Sequence, residues 1–153
     1  MSETENIRRI IENRKARFEY FILQSLEAGI VLVGTEVKSL RQGKISLTDS
    51  YIEIENNEAW LVNAHINEYT EGNRFNHDPK RKRKILLNAS EIRKLNSKIN
   101  EKGLTLIPLS LYFKGNKVKV EIALAKGKKS YDKRESIAKK DMQRDSEIKY
   151  KIK

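Results

Sequence analysis

The segment that most restricts the fold is Lys117-Val118-Lys119-Val120-Glu121-Ile122-Ala123-Leu124. Apolar side chains at every second residue, with Lys117, Lys119 and Glu121 between them, match the two-residue repeat of a half-buried strand. The apolar run Leu104–Phe113 precedes it across Lys114-Gly115-Asn116, a turn composition, so the two form a hairpin. Pro108 has no N–H to donate, which places that strand at an edge or a bulge. Two further hairpins are expected. One joins Tyr51–Glu55 to Ala59–His65 around Asn56-Asn57. The other joins Phe18–Leu26 to Ile30–Gly34, turning at Ala28-Gly29. Ile85–Leu87 is a short strand. Six or seven antiparallel strands point to a mainly β fold, a small closed barrel without exposed edges.

About three helices flank these strands. Ser2 to Glu5 has capping-box spacing ahead of Ile7, Ile10 and Ile11, which share one helical face. Thr35–Gln42 buries Val37 and Leu40 and stops at Gly43. Asn88 and Glu91 form a second capping box before Ile92, Leu95 and Ile99, with Gly103 as the stop.

Charge divides the chain in two. Its 153 residues carry 32 Lys+Arg against 21 Asp+Glu, a formal +11. Residues 126–153 hold eleven basic and five acidic side chains, more than half of that excess, and only widely spaced apolar ones. The expectation is a β domain over residues 1–125 and a basic tail over 126–153. Such a tail cannot offset its ordering entropy alone, so it is expected to be disordered when free and helical on a partner. A basic excess attracts polyanions, nucleic acid first. The absence of cysteine excludes disulfides and thiolate metal sites. The acidic Met1–Glu5 is no signal peptide, and the longest uncharged run is half the ~20 residues of a membrane span. A cytoplasmic protein without a membrane partner is expected.

Few residues offer catalysis. His65 and His77 are the two histidines, and neither has a second histidine or a cysteine near it in sequence. Gly29 to Gly34 has phosphate-loop spacing but continues Thr35-Glu36, where that loop needs Lys-Ser/Thr. No carboxylate pair stands out. The expectation is no enzyme, no cofactor and no metal. Basic and aromatic residues interleave instead: Arg14, Lys15 and Arg17 with Phe18, Tyr20 and Phe21, and the run Lys80-Arg81-Lys82-Arg83-Lys84. On a barrel this suits phosphate contacts and stacking on unpaired bases. A general single-stranded RNA-binding barrel would satisfy the same pattern.

Five blocks narrow that choice. Asn13-Arg14-Lys15-Ala16-Arg17-Phe18-Glu19-Tyr20 resembles the N-terminal signature of the SmpB family, the SsrA-binding proteins of bacterial trans-translation. Gly34 to Lys44 with Asp49-Ser50-Tyr51, Arg81 to Asn88, Pro108 to Phe113, and Ala125 to Arg134 resemble its further blocks, in order. The resemblance implies an oligonucleotide-binding-like barrel that binds tmRNA at its tRNA-like end and delivers it to stalled ribosomes. There the incomplete peptide is tagged. It implies RNA contacts at Asn13, Tyr20, Glu27, Leu86 and Asn88. Arg14, Lys15, Arg81, Arg83 and Lys84 are expected to contact phosphates. The tail residues Lys126, Gly127, Lys128, Lys129, Tyr131, Asp132, Lys133 and Arg134 would reach the small-subunit decoding region and the mRNA channel. Tyr131 stands where the family often has histidine. Elongation factor Tu (EF-Tu) would be an indirect partner, through aminoacylated tmRNA.

Overall fold

The computed structural model describes residues 6–70 and 75–129. In chain order the elements are β1 (Ile7–Glu12), α1 (Arg14–Glu19), β2 (Tyr20–Ile30), α2 (Gly34–Arg41), β3 (Ile45–Ser46), β4 (Tyr51–Glu55), β5 (Glu58–Val62), β6 (His65–Ile66), β7 (Arg83–Leu86), α3 (Ala89–Lys102), β8 (Thr105–Lys114) and β9 (Lys117–Gly127). The alternating segment and its partner form the expected hairpin, β8 with β9, turning at Gly115 with φ +60°. The register slips between Pro108 and Ser110, so the proline sits at a bulge where its missing N–H costs no ladder bond.

Seven strands share one antiparallel sheet in the order β1-β8-β9-β2-β7-β5-β4, and β3 pairs with β6 separately. The inner face buries Leu106, Leu111, Phe113, Val120, Ile122 and Leu124 of the hairpin with Ala28, Ile30 and Ile85. Leu40 of α2 and Leu95 of α3 join this core. On the opposite face Ala16 of α1 packs on Ile107, Leu109, Ala123 and Ala125. The α3 caps are as expected: Asn88 and Glu91 form the capping box, and Gly103 ends the helix at φ +62°.

The closed barrel is corrected. β1 and β4 are sheet edges and share no ladder, although the sheet curls far enough for β4 to pack against β8. Buried Ile45 and Leu47 of the β3 segment seal the core there with side chains rather than backbone bonds. Between them and β1 lies an open cleft of about 550 Å³ lined by Arg9–Lys15 and Ile45–Thr48.

Three expected local structures also differ. Ile7, Ile10 and Ile11 lie in a strand, not a helix. The register against β8 slips between Arg9 and Ile11, so the extra residue lets the adjacent Ile10 and Ile11 both reach the core. Helix-like spacing is thus produced by a bulged strand. The turn at Ala28-Gly29 is absent, and β2 runs through it. Gly29 pairs with both Lys119 and Leu86, and a Cβ there would lie 3.1 Å from Leu86 Cδ1. Glycine at this position answers to crowding between strands, not to a turn. The Asn56-Asn57 hairpin is present, both residues having positive φ, but His65 belongs to β6 and not to β5.

Candidate nucleic-acid interface

Asn13 is buried. Its Oδ1 accepts from the Ala16 N–H at 3.2 Å and its Nδ2 donates to the Pro108 carbonyl at 2.9 Å. Its own N–H donates to the Leu109 carbonyl at 2.7 Å. The residue therefore caps α1 and fastens it to the β8 bulge. α1 in turn displays Arg14 and Lys15 at the surface. Lys15 Nζ lies 3.0 Å from Asp49 Oδ1, and that hydrogen bond and charge raise its pKa. Asn13, Lys15, Tyr20, Asp49 and Tyr51 line a second cleft of about 250 Å³. Asn13, Arg14, Lys15 and Tyr20 are thus brought together at one end of the sheet.

The basic run 80–84 is divided by β7. Arg83 has no exposed surface, so its expected phosphate contact is corrected. Its Nε donates to Glu36 Oε2 at 2.6 Å, and its other nitrogens donate to the carbonyls of Ala64, Asp78 and Pro79. Strand alternation explains this, because every second residue of β7 points into the core. Arg81 forks onto the same carboxylate, Nη2 to Oε1 at 2.6 Å and Nε to Oε2 at 3.0 Å. Burial disfavours the Glu36 charge, but Arg81, the Val33 N–H and Arg83 outweigh it and hold its pKa below the usual range. Burial lowers the Arg83 pKa, opposed by Glu36. Lys82 and Lys84 face outward and pair with Glu53 and Glu58 at 3.3 and 3.5 Å.

Glu27 lies on the outer face of β2, two residues before Gly29, which is paired with Leu86. Leu86 is 52% exposed. Lys84, Leu86 and Asn88 line one cleft of about 400 Å³. Asn88 spends Oδ1 on the Glu91 N–H at 2.8 Å, as the cap of α3. The Tyr112 hydroxyl donates to Glu27 Oε2, and Lys114 Nζ lies 3.3 Å from Oε1. The Tyr112 bond, then Lys114 and Lys119, hold the Glu27 carboxyl below its ordinary pKa against the cost of burial. Burial and Glu27 push the Tyr112 hydroxyl well up. Seven residues of strand, about 23 Å, separate this cluster from Tyr20. Tyr112, Lys114 and Lys119 were not among the expected site residues. Only the three-strand register, set by two bulges, brings them beside Glu27.

Lys126 and Gly127 are the end of β9, paired with Phe21 and Tyr20. Lys128 Nζ sits 5.1 Å from the centre of the Phe21 ring, and its N–H donates to the Glu19 carbonyl. Tyr131, Asp132, Lys133 and Arg134 lie outside the described residues. Buried His77 bridges the Thr35 hydroxyl and the Ile66 carbonyl, a structural role. Among the described residues no acidic or histidine cluster could hold a metal. No described helix is long and apolar enough to cross a membrane.

The profile of the SmpB protein family matches residues 10–152. The chain belongs to the SmpB family. It is 60% identical to the SsrA-binding protein of Desulforudis audaxviator over 136 residues, 89% of each chain. It is 60% identical to that of Carboxydothermus hydrogenoformans over 138 residues, 90% of this chain and 93% of the relative. A chain of the solved structure described as "tmRNA-SmpB: a journey to the center of the bacterial ribosome" superposes with a TM-score of 0.66 at 50% identity. That match covers 78% of this chain and 85% of the other. Family membership thus agrees with the five sequence blocks, each of which lies within residues 10–152.

Proposed function

We propose that this SmpB-family protein binds tmRNA and carries it to stalled ribosomes in trans-translation, acting as an RNA-binding adaptor rather than an enzyme. The observation that carries this is the 60% identity to SsrA-binding proteins along nine-tenths of the chain. The surface supports it. Glu27, Leu86 and Asn88 present an acceptor, an apolar side chain and a helix cap side by side. These can meet base edges and a 2′-hydroxyl of a folded RNA. Arg14, Lys15 and Lys84 supply phosphate contacts, and Asn13 holds α1 in place for the first two, whereas the charge of Arg81 is spent on Glu36.

The curled sheet serves as an oligonucleotide-binding-like platform with its gap at β1 and β4. In this reading residues 1–129 hold the tRNA-like end. The tail beyond them enters the decoding region and the mRNA channel and becomes helical there. Tyr131 stacks on an exposed rRNA base, a role that histidine or phenylalanine can also fill. EF-Tu meets the complex only through aminoacylated tmRNA, in the cytoplasm. The test is peptide transfer to aminoacylated tmRNA on ribosomes stalled without a stop codon. Transfer should require this protein, and transfer at the same rate without it would overturn the proposal.

A further inference from the structure

The acidic residue at the centre of the candidate RNA surface does not stand alone. Glu27 on β2, Lys119 on β9, and Tyr112 and Lys114 on β8 point to the same face, because the paired register runs Gly29 to Lys119 to Tyr112. The Tyr112 hydroxyl donates to one carboxylate oxygen and the Lys114 ammonium approaches the other at 3.3 Å. Glu27 itself is on an exposed stretch of strand, where a glutamate side chain is otherwise free to sample several rotamers. An ionised carboxylate has about four acceptor sites, so two such bonds leave capacity for RNA donors.

From this geometry we infer that Tyr112 is a positioning residue for RNA recognition: its hydroxyl fixes the Glu27 carboxylate in the orientation that accepts from the tmRNA. Glu121 is paired with Glu27 across the ladder, and Lys114 and Lys119, with Arg17 at 3.9 Å from Glu121, offset the two negative charges, so the acids do not repel the phosphates around them. Tyr112 need not touch RNA itself. Its ring stands on β8, one strand beyond β9, and it acts through Glu27. The inference rests on the reading of Glu27 as an RNA acceptor.

The test is a double-mutant cycle on the affinity of the full-length protein for the tRNA-like end of tmRNA. Tyr112→Phe keeps the ring and removes only the hydroxyl. It should weaken binding about fivefold, a coupling typical of one hydrogen-bond network. In the Glu27→Ala background the same change should cost nothing further. A merely structural tyrosine would lower affinity equally in both backgrounds, and that result overturns the inference.

A second readout is pH. The groups facing the Glu27 carboxyl are Tyr112 and Lys114 from β8 and, from β9, Lys119 and Glu121, the latter being the direct cross-strand partner of Glu27 and also beside Tyr112. In the parent the carboxyl stays ionised below the ordinary glutamate range, so affinity should be flat down to about pH 5. In Tyr112→Phe the decline on acidification should begin at higher pH. Superimposable profiles would also overturn it. If Glu27→Ala binds as tightly as the parent, the RNA role of Glu27 fails and this inference with it. If Glu27→Ala is weakened but Tyr112→Phe is not, only the positioning role fails.

Discussion

Glu36 has no exposed surface and receives hydrogen bonds from the Val33 N–H, Arg81 and Arg83. It ties the start of α2 to β7 and spends two of the five charges in the basic run. Removing it would leave Arg83 charged, buried and unpaired. Glu36→Ala should therefore destabilise the fold by about 3–5 kcal/mol, read from urea or thermal unfolding. The pH dependence has a definite sign. Glu36 has a depressed folded pKa, so its contribution is complete above the unfolded carboxylate value of about 4.3. It is lost as pH falls through the lower folded value. Stability should hold to about pH 5 and fall steeply below pH 4, and Glu36→Ala should flatten that fall. Glu27 differs, because the role proposed for it is in recognition. Glu27→Ala should weaken tmRNA binding by about tenfold, one charge-assisted hydrogen bond of roughly 1.5 kcal/mol. The slope of affinity against salt should stay unchanged, since that slope counts phosphate contacts made by cations.

Gly29 decides how closely β2 and β7 approach. Its missing Cβ leaves room for Leu86, whose exposed side chain can shift if the room is taken. Gly29→Ala should thus change the melting temperature little and reduce tmRNA affinity severalfold, by moving Leu86 beside Glu27. Equal affinity would detach Leu86 from the recognition surface. The range of a signal along the chain decides what the sequence discloses and what it does not. The β8–β9 hairpin and α3 were legible because alternation, capping box and terminal glycine are local signals. The N-terminal strand has the sequence pattern of a helix because a bulge places Ile10 and Ile11 on one side, mimicking helical spacing. Gly29 carries the same sequence signal as a turn because strand crowding and turn formation both favour glycine. Arg83 looked like part of a basic patch, and its burial depends on Glu36, forty-seven residues away. Tyr112 beside Glu27 is equally non-local, being separated by eighty-five residues.

At the scale of the molecule, the two clusters proposed to meet RNA lie about 23 Å apart along β2, and β9 ends beside Tyr20. That arrangement suits a folded RNA better than a threaded single strand, because the two clusters must be met at once. The end of β9 also fixes where the tail can be cut. Ending the chain at Ala125 would strip Lys126 and Gly127 from their pairs with Phe21 and Tyr20, whereas ending it at Lys129 keeps every β9 pair. The 1–129 protein should fold, bind the tRNA-like end of tmRNA and fail in peptide transfer on stalled ribosomes. The most direct test of the account compares affinities of the full-length protein for that tRNA-like end and for an unstructured RNA of equal length and charge, at one salt concentration. Tighter binding of the tRNA-like RNA by at least about tenfold, with the preference largely lost in Glu27→Ala, is the predicted result. Equal affinity for the two RNAs would contradict it and make the protein a general single-strand binder.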